Sequence, residues 1–359
     1  MKKKIFSILV AIMIIAMALT MTACNKDKDK NDDSKDKTIT FTDDAGRDVE
    51  IPKNIKRIAP SGPLAEQVIG SVAPDKMVAI SKKPMGEKEQ KILKKFMNLP
   101  EIGQFYGKLP FNAESLASAK PDIVIDIGEP KDTVKEDMDA ISEKSGTPTI
   151  FIEMNFDNAD EAYKKLGKVV GEEKKAEKLA KYVKRVNDEL DSGMKKVGDK
   201  KLSFVYLTGD NGLGSNPKGS FHMQMLDTIG DNAFVSQEKS SKGGANEISQ
   251  EELLKLNPDV IIFGPGSIYN DVKNDPVFSQ LTAIKEGKYV EAPSLPYNWL
   301  GFPPSVNRFM GGQWVAQLFY PDQFKYDLQK RITEYYDLFY GYKLSAKEYK
   351  EITKNAFFK

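Results

Sequence analysis

The sequence predicts an α/β protein of two Rossmann-like lobes with parallel sheets, joined by a single long α-helix, with a cleft between the lobes. Three observations predict this class. Helical segments alternate with short β-branched runs in two stretches of the chain, one element is written twice, and a long amphipathic stretch separates the copies. The doubled element reads "ESLASAKPDIVIDIG" at 114–128 and "EELLKLNPDVIIFGPG" at 251–266. In each copy a Glu is followed seven residues later by Pro-Asp, then by an apolar run and Gly. Pro ends a helix and presets the backbone for a strand, so each copy is a helix delivered into a buried central strand.

The first residues, 1–23, have a basic start, an apolar stretch from Ile5 to about Met21 and small residues before Cys24. That is the layout of a secretory signal peptide; the apolar run also approaches spanning length, which leaves an uncleaved anchor as the rival reading. "MTAC" is similar to the bacterial lipobox, with Met21 where Leu is commoner. The similarity implies a diacylglycerol on Cys24, cleavage before it, and a chain tethered to the outer face of the cell membrane. Residues 24–37 then form a lipidated tether. "NKDKDKNDDSKDK" has no apolar side chain to bury, so it is expected to stay disordered and to span on the order of 20 Å.

Residues 38–156 make the N-terminal α/β lobe. "TITFTDDAGRDVEIP" alternates on both sides of a turn at Asp44–Gly46, a hairpin pattern. Strand-like "IKRIAP" and "MVAIS" flank a helical "PLAEQVIGSV"; the first repeat copy, a helical "VKEDMDAISEKSG" and a strand "TPTIFIE" follow. Residues 157–198 are a linking helical segment. Ala176, Leu179, Val183, Val186, Leu190, Met194 and Val197 recur at spacings of three and four, one apolar stripe on a helix of roughly 25 residues and nearly 40 Å. No Pro occurs between Asp157 and Asn216, so the rod bends only gently and limits lobe motion. Residues 199–359 make the C-terminal lobe. "LSFVYLTG" reads as a strand, "SFHMQMLDTIG" as a helix, "KYVEA" as a strand, and the aromatic tail "WVAQLFYPDQF…ITEYYDLFYGYKL" as amphipathic helix.

Composition narrows the chemistry. A net charge of +1 gives no reason to expect nucleic acid as partner. One Cys and one His exclude an internal disulfide and the clustered imidazoles of a typical zinc site. No GxSxG elbow is present and the His has no evident catalytic partner, which argues against the rival reading of an extracellular α/β enzyme. Of 53 basic residues only five are Arg, so each Arg merits individual attention.

From Thr38 to about Gln317 the chain resembles the lipoprotein or periplasmic substrate-binding proteins of ABC importers for iron–siderophore, haem and vitamin B12. "FTDDAGRDVEIP", "NAESLASAKPDIVI", "EISQEELLKLNPDVII" and "GSFHMQMLDTIGDNAFV" carry the resemblance through their order and spacing. It implies a monomer that captures a metal chelate in the cleft and delivers it to a permease dimer with its ATPase, without catalysis and without a cofactor of its own. It also implies that Glu114 and Glu251 dock one lobe each on the two permease subunits. First-turn glutamates are favoured by the helix dipole as well, and only their recurrence at one offset distinguishes the readings.

Strand ends and the loops after them line clefts in open α/β lobes. The candidate ligand contacts are therefore Ser61, Gln104, Phe105, Tyr106 and Gly128 in the first lobe. In the second they are Asp210, Asn211, His222, Tyr297, Asn298, Trp299 and Arg308. Phe302 joins Tyr297 and Trp299 in a Pro-rich aromatic loop; by the resemblance Trp299 occupies a ligand-touching position. Aromatics suit bulky chelates at little entropic cost, and Arg308 suits an anionic siderophore or a propionate. Each has a plain alternative: the aromatics plug the lobe end, Arg308 caps or packs the tail, and His222 is a satisfied structural His. No residue is expected to bind a metal directly. A ferric siderophore, a corrinoid, haem and a nickel or cobalt chelate all remain possible ligands.

Overall fold

Two separate sheets, the first all parallel and the second built on a parallel core, organise the computed structural model, which describes residues 37–106, 109–236, 246–301 and 306–359. The leader, Cys24, the tether up to residue 36 and Phe302 lie outside the described residues. The chain divides at Ile39, and Thr40–Lys359 is one compact unit.

A hairpin of β1 (Thr38–Thr42) and β2 (Asp48–Pro52) precedes the first parallel sheet. Its turn is built by Asp43, whose carboxylate accepts from the backbone of Ala45 and Arg47 and from the Arg47 guanidinium. The first parallel sheet has the order β3 (Ile58–Pro60), β4 (Ile123–Gly128), β5 (Thr149–Glu153). "MVAIS" contributes only isolated bridges, Ile58 to Met77 and Ile80 to Glu101. In the second sheet β10 (Val260–Phe263) lies between β6 (Ser203–Thr208) and β11 (Tyr289–Glu291), all parallel. The short β7 (Gly214–Ser215), β8 (Asp231–Asn232) and β9 (Asn246–Glu247) extend it, with β7 antiparallel to both β6 and β9.

The two repeat copies are structural equivalents in detail. Each opens with a seven-residue helix, Ala113–Ala119 and Gln250–Leu256, capped by the preceding side chain: Asn112 accepts from Ser115 N at 2.9 Å and Ser249 from Glu252 N at 3.1 Å. Each helix ends on a left-handed residue, Lys120 (φ 45°) and Asn257 (φ 38°), the two non-glycine residues with positive φ among the described residues. That conformation closes a helix by turning the chain back, and the Pro that follows prevents continuation. The next Asp then fastens the neighbouring strand. Asp122 Oδ2 accepts from Lys56 N and Arg57 N at 2.8 and 2.9 Å; Asp259 Oδ2 accepts from Ser203 N and Oγ at 2.8 and 2.7 Å. The repeated Pro-Asp thus sets strand register in both sheets.

The linking helix is Glu173–Val197, 25 residues, preceded by Ala159–Val170 with the chain turning at Gly171. At 1.5 Å per residue it is about 37 Å long. Its apolar stripe joins a continuous core with Ile123, Ile125 and Ile127 of β4 and with Val260 and Ile262 of β10. The alternate faces bury separate clusters: Ala59, Val124 and Phe151 in the first sheet, Val205, Leu207, Ile261 and Phe263 in the second. Alternation along a strand places successive side chains on opposite faces, so each sheet carries two apolar layers.

Leu328–Tyr340 meets the amphipathic expectation, burying Leu328, Ile332, Tyr335, Tyr336 and Phe339 on one face, whereas the first tail helix departs from it. Helix Asn307–Phe319 is buried around most of its circumference, because it packs against the linking helix, Gln224–Ile229 and Leu328–Tyr340 together. The following segments then return to the first lobe. Ion pairs Arg185–Glu334 (3.0 Å) and Arg331–Glu189 (2.9 Å) fasten Leu328–Tyr340 to the linking helix. Lys88–Glu351 (2.8 Å) and Lys91–Glu348 (2.9 Å) bring helix Ala346–Ile352 against Glu87–Ile92. The linking helix is therefore the longest connection between the sheets, with the tail packed alongside.

Candidate functional site

In the first lobe the C-terminal ends of β3 and β4 place two polar side chains together. The Ser61 hydroxyl hydrogen-bonds the Asp126 carboxylate, and burial pushes that carboxyl above its ordinary range, opposed by the Ser61 bond and by Lys131. The parallel register shows how unusual this is. Asp126 and Ser61 stand where the second lobe has Phe263 and Leu207, both buried in an apolar layer. Ser61 also orders the loop beside it, since its carbonyl accepts from Phe105 N at 2.9 Å. Gly103 starts this loop at φ 71°, and a Cβ there would strike the Pro110 carbonyl. Phe105 packs on Phe111 with ring centroids 4.3 Å apart; the Tyr106 ring carries Lys131 Nζ at 3.8 Å. Gln104, Phe105 and Tyr106 are partly exposed, and Gly128 is buried at the end of β4.

The second lobe presents a different charge. Arg308, 2% exposed, lies in the first turn of Asn307–Phe319. Among the described residues its Nη1 donates to the Gln224 Oε1 at 3.3 Å and the Phe221 carbonyl at 3.5 Å and its Nε has no partner, while its guanidinium stacks over the Phe221 ring at 5.0 Å. The other four arginines are engaged by acceptors suited to them: Arg47, Arg185 and Arg331 by carboxylates, Arg57 by the carbonyls ending the first repeat helix. Burial depresses the Arg308 guanidinium to about 10, against the pull of Asp157 and of Glu129 beyond β4. Gln224 in turn accepts from Phe156 N at 3.3 Å, and Phe156 stacks on Phe309 at 5.0 Å. The charge therefore sits where the second lobe meets the end of the first sheet.

His222 borders this arginine. Its Nδ1 lies 2.7 Å from the Gly301 carbonyl, which can only accept, so the neutral ring carries its proton on Nδ1. Burial and Arg308 lower its pKa, with the Gly301 bond opposing, and keep it neutral. A third contact crosses the lobes: Tyr297 donates to Glu66 Oε1 at 3.2 Å, while Ser81 N donates to Glu66 Oε2.

Several expected contacts are placed elsewhere. Trp299 is 0% exposed, edge-on to Trp314 with centroids 6.3 Å apart, and Gly311 lets the next helix approach its carbonyl. It fills the lobe core and offers no surface to a ligand, so its ligand-touching assignment is corrected. Asn298 is buried as well: its amide donates to Tyr206 at 2.9 Å and its carbonyl accepts from Leu300 N, which shapes the 297–300 loop. Asp210 and Asn211 are exposed on the β6–β7 turn, where Asn211 Oδ1 accepts from Leu213 N at 3.1 Å. Tyr297 faces Glu66 rather than the strand ends.

Two titratable residues escaped sequence reading, Glu66 and Asp126. The signal was present as a carboxylate inside an apolar segment, "PLAEQVIGSV" and "DIVIDIG". Glu114 and Glu251 are both exposed second residues of their helices, and neither supplies the cap. Among the described residues no group of three or more His, Cys, Asp and Glu could hold a metal ion. No described helix is long and apolar enough to cross a membrane.

The overall fold is shared with known proteins. An ABC transporter substrate-binding lipoprotein of Bacillus subtilis, YvrC, is 26% identical over 299 residues, 80% of this chain and 87% of that one. The ABC transporter solute binding protein of Sulfurospirillum deleyianum superposes with a TM-score of 0.79 at 28% identity, covering 88% of this chain and 99% of that one. The molybdate-bound MolA of Haemophilus influenzae shares the fold at 19% identity, with a TM-score of 0.68 over 86% of this chain and 99% of that one. The periplasmic binding protein model matches residues 65–295, and with two lobes built on one repeated unit the chain belongs to that family.

Proposed function

We propose that this protein is the extracytoplasmic substrate-binding component of an ABC importer, and that its ligand is an anionic metal chelate of the iron–siderophore type. Family membership and the related lipoprotein support the transport role. The Arg308 guanidinium carries the ligand class: a buried charge with no salt-bridging carboxylate among the described residues, only the more distant Asp157 and Glu129, is unfavourable unless an anion completes it. Proteins of this fold with under a quarter identity include a molybdate-binding protein, one in complex with nickel–histidine and a catecholate-siderophore-binding protein, so the fold itself accommodates varied guests.

In this reading, residues 38–156 and 199–359 form the two lobes. Ser61, Asp126, Tyr106 and the 103–106 loop face the guest from the first, and Arg308 with neutral His222 from the second. Glu114 and Glu251 dock on the permease dimer. A lipid on Cys24 holds the monomer at the membrane.

The experiment is titration of the purified protein with ferric citrate, a ferric catecholate, molybdate, nickel–histidine, haem and cobalamin, followed by calorimetry, with Arg308→Met alongside. An anionic member is expected to bind, and the substitution to weaken it at least tenfold while raising the urea midpoint, because an unpaired buried charge is removed. Binding of cobalamin alone, or an anion that binds both proteins equally, would refute the ligand class.

A further inference from the structure

Two segments far apart in the chain concentrate its positive charge. Residues 82–96 and 343–359 hold eleven Lys and four Glu, with no Arg or Asp, a balance of +7; the whole chain nets +1, so everything else nets −6. Folding sets the two segments side by side. Lys88 pairs with Glu351 at 2.8 Å and Lys91 with Glu348 at 2.9 Å, where the capping box of Ser345 and Glu348 starts helix Ala346–Ile352. Lys82, Lys94, Lys350 and Lys354 remain exposed and form no salt bridge among the described residues. A face of like charge repels itself, and an anionic surface laid against it relieves that repulsion.

Apolar side chains stand among these lysines. Four large apolar side chains are exposed among the described residues, and two of them, Met85 at 85% and Phe357 at 44%, belong to the two basic segments. A groove of about 320 Å³ between the segments is lined by both kinds of side chain, Ile92, Leu344 and Ile352 with Lys91 and Lys347. This mixture separates two classes of partner. A soluble polyanion would meet the lysines alone, whereas a bilayer offers anionic headgroups to the lysines and hydrocarbon to the apolar tips.

We propose that this basic face is a docking surface for a bilayer of anionic lipids, with the lysines at the headgroups and Met85 and Phe357 dipping below them. The proposal rests on the reading that the chain is held at a membrane, where a tether of on the order of 20 Å keeps the face near the headgroups. It is independent of the ligand in the cleft. It is also distinct from the permease contacts, because Glu114 and Glu251 lie on other helices, Ala113–Ala119 and Gln250–Leu256.

The test mixes the full chain with vesicles of phosphatidylcholine, alone or with about a third phosphatidylglycerol. Phe357→Trp places an indole on the face, and quenching by brominated acyl chains reports its contact with the bilayer; the buried Trp299 and Trp314 set the baseline in the unsubstituted chain. Quenching is expected on the anionic vesicles and should be lost on phosphatidylcholine alone and in roughly 1 M salt. Combining Lys347→Glu, Lys350→Glu and Lys354→Glu should abolish it, whereas reversing the exposed Lys195, Lys196 and Lys200 instead should leave it unchanged. Flotation of the same mixtures reports anchoring separately, so an anchored chain without quenching refutes the docking face and leaves the membrane-held reading standing. Equal quenching on both vesicles, quenching that survives the first set of reversals, or a chain that floats with neither vesicle would overturn the proposal.

Discussion

Raising the pH should weaken the folded protein through Glu66, and Gln in its place should abolish that loss. The Glu66 carboxyl is 7% exposed and is pushed from 4.5 to about 7, with burial the largest cause; bonds from Ser81 and Tyr297 oppose the shift and Glu101 adds to it. The unfolded chain releases this proton near 4.5, whereas the folded chain keeps it to about 7. The stabilising contribution is thus fully present below 4.5 and is lost as the pH rises through about 7. At about 1.4 kcal/mol per pH unit the ionised carboxylate costs the fold roughly 3 kcal/mol.

Glu66→Gln keeps an acceptor for Ser81 N and offers a donor to the Tyr297 oxygen while removing the titration. The assay is urea unfolding of both proteins at a series of pH values from about 5 to about 8, read as midpoint at constant slope. At the acid end the two should lie close together, and at the alkaline end the variant should be the more stable by up to about 3 kcal/mol. Parallel stability curves across the whole interval would refute the argument from burial. Tyr297 and Tyr340, beside this contact, are raised by burial and stay protonated throughout.

Replacing Glu114 and Glu251 with Ala together should leave chelate affinity unchanged and sharply reduce uptake in cells; uptake at the wild-type rate would remove the docking role. Gly193→Ala is a contest between two effects. Helix propensity favours Ala by about 1 kcal/mol, but an added Cβ runs into the Phe324 ring, and overpacking costs about 1–3 kcal/mol. Net destabilisation in thermal unfolding is expected, and a stabilised variant would show that Phe324 yields easily.

Much of this architecture was legible because it is local. The three-and-four spacing from Ala176 to Val197 marks one face of one helix, and the helix observed is Glu173–Val197. Helix, Pro-Asp and β-branched run specify each repeat copy within 16 residues, which is why both were visible before any contact was known. The apolar runs of β4 and β10 signalled strands buried on both faces.

The site was less legible, since long-range packing decides which side of an element meets which neighbour. An aromatic in a Pro-rich loop reads equally as a ligand platform or as core; the close approach permitted by Gly311 and the edge of Trp314 put Trp299 in the core. An Arg at a helix start reads equally as cap, ion pair or site, and only in the assembled lobes is Arg308 seen to be buried and to form no salt bridge among the described residues. Local pattern alone determined the lobes, the strut and the doubled unit, because their signals repeat over a few residues. The Glu66–Tyr297 contact joins residues 231 positions apart, and the tail returns to a helix more than 250 positions upstream. Burial and pairing at such separations depend on surfaces that exist only once the chain has folded, so the tertiary structure decided them.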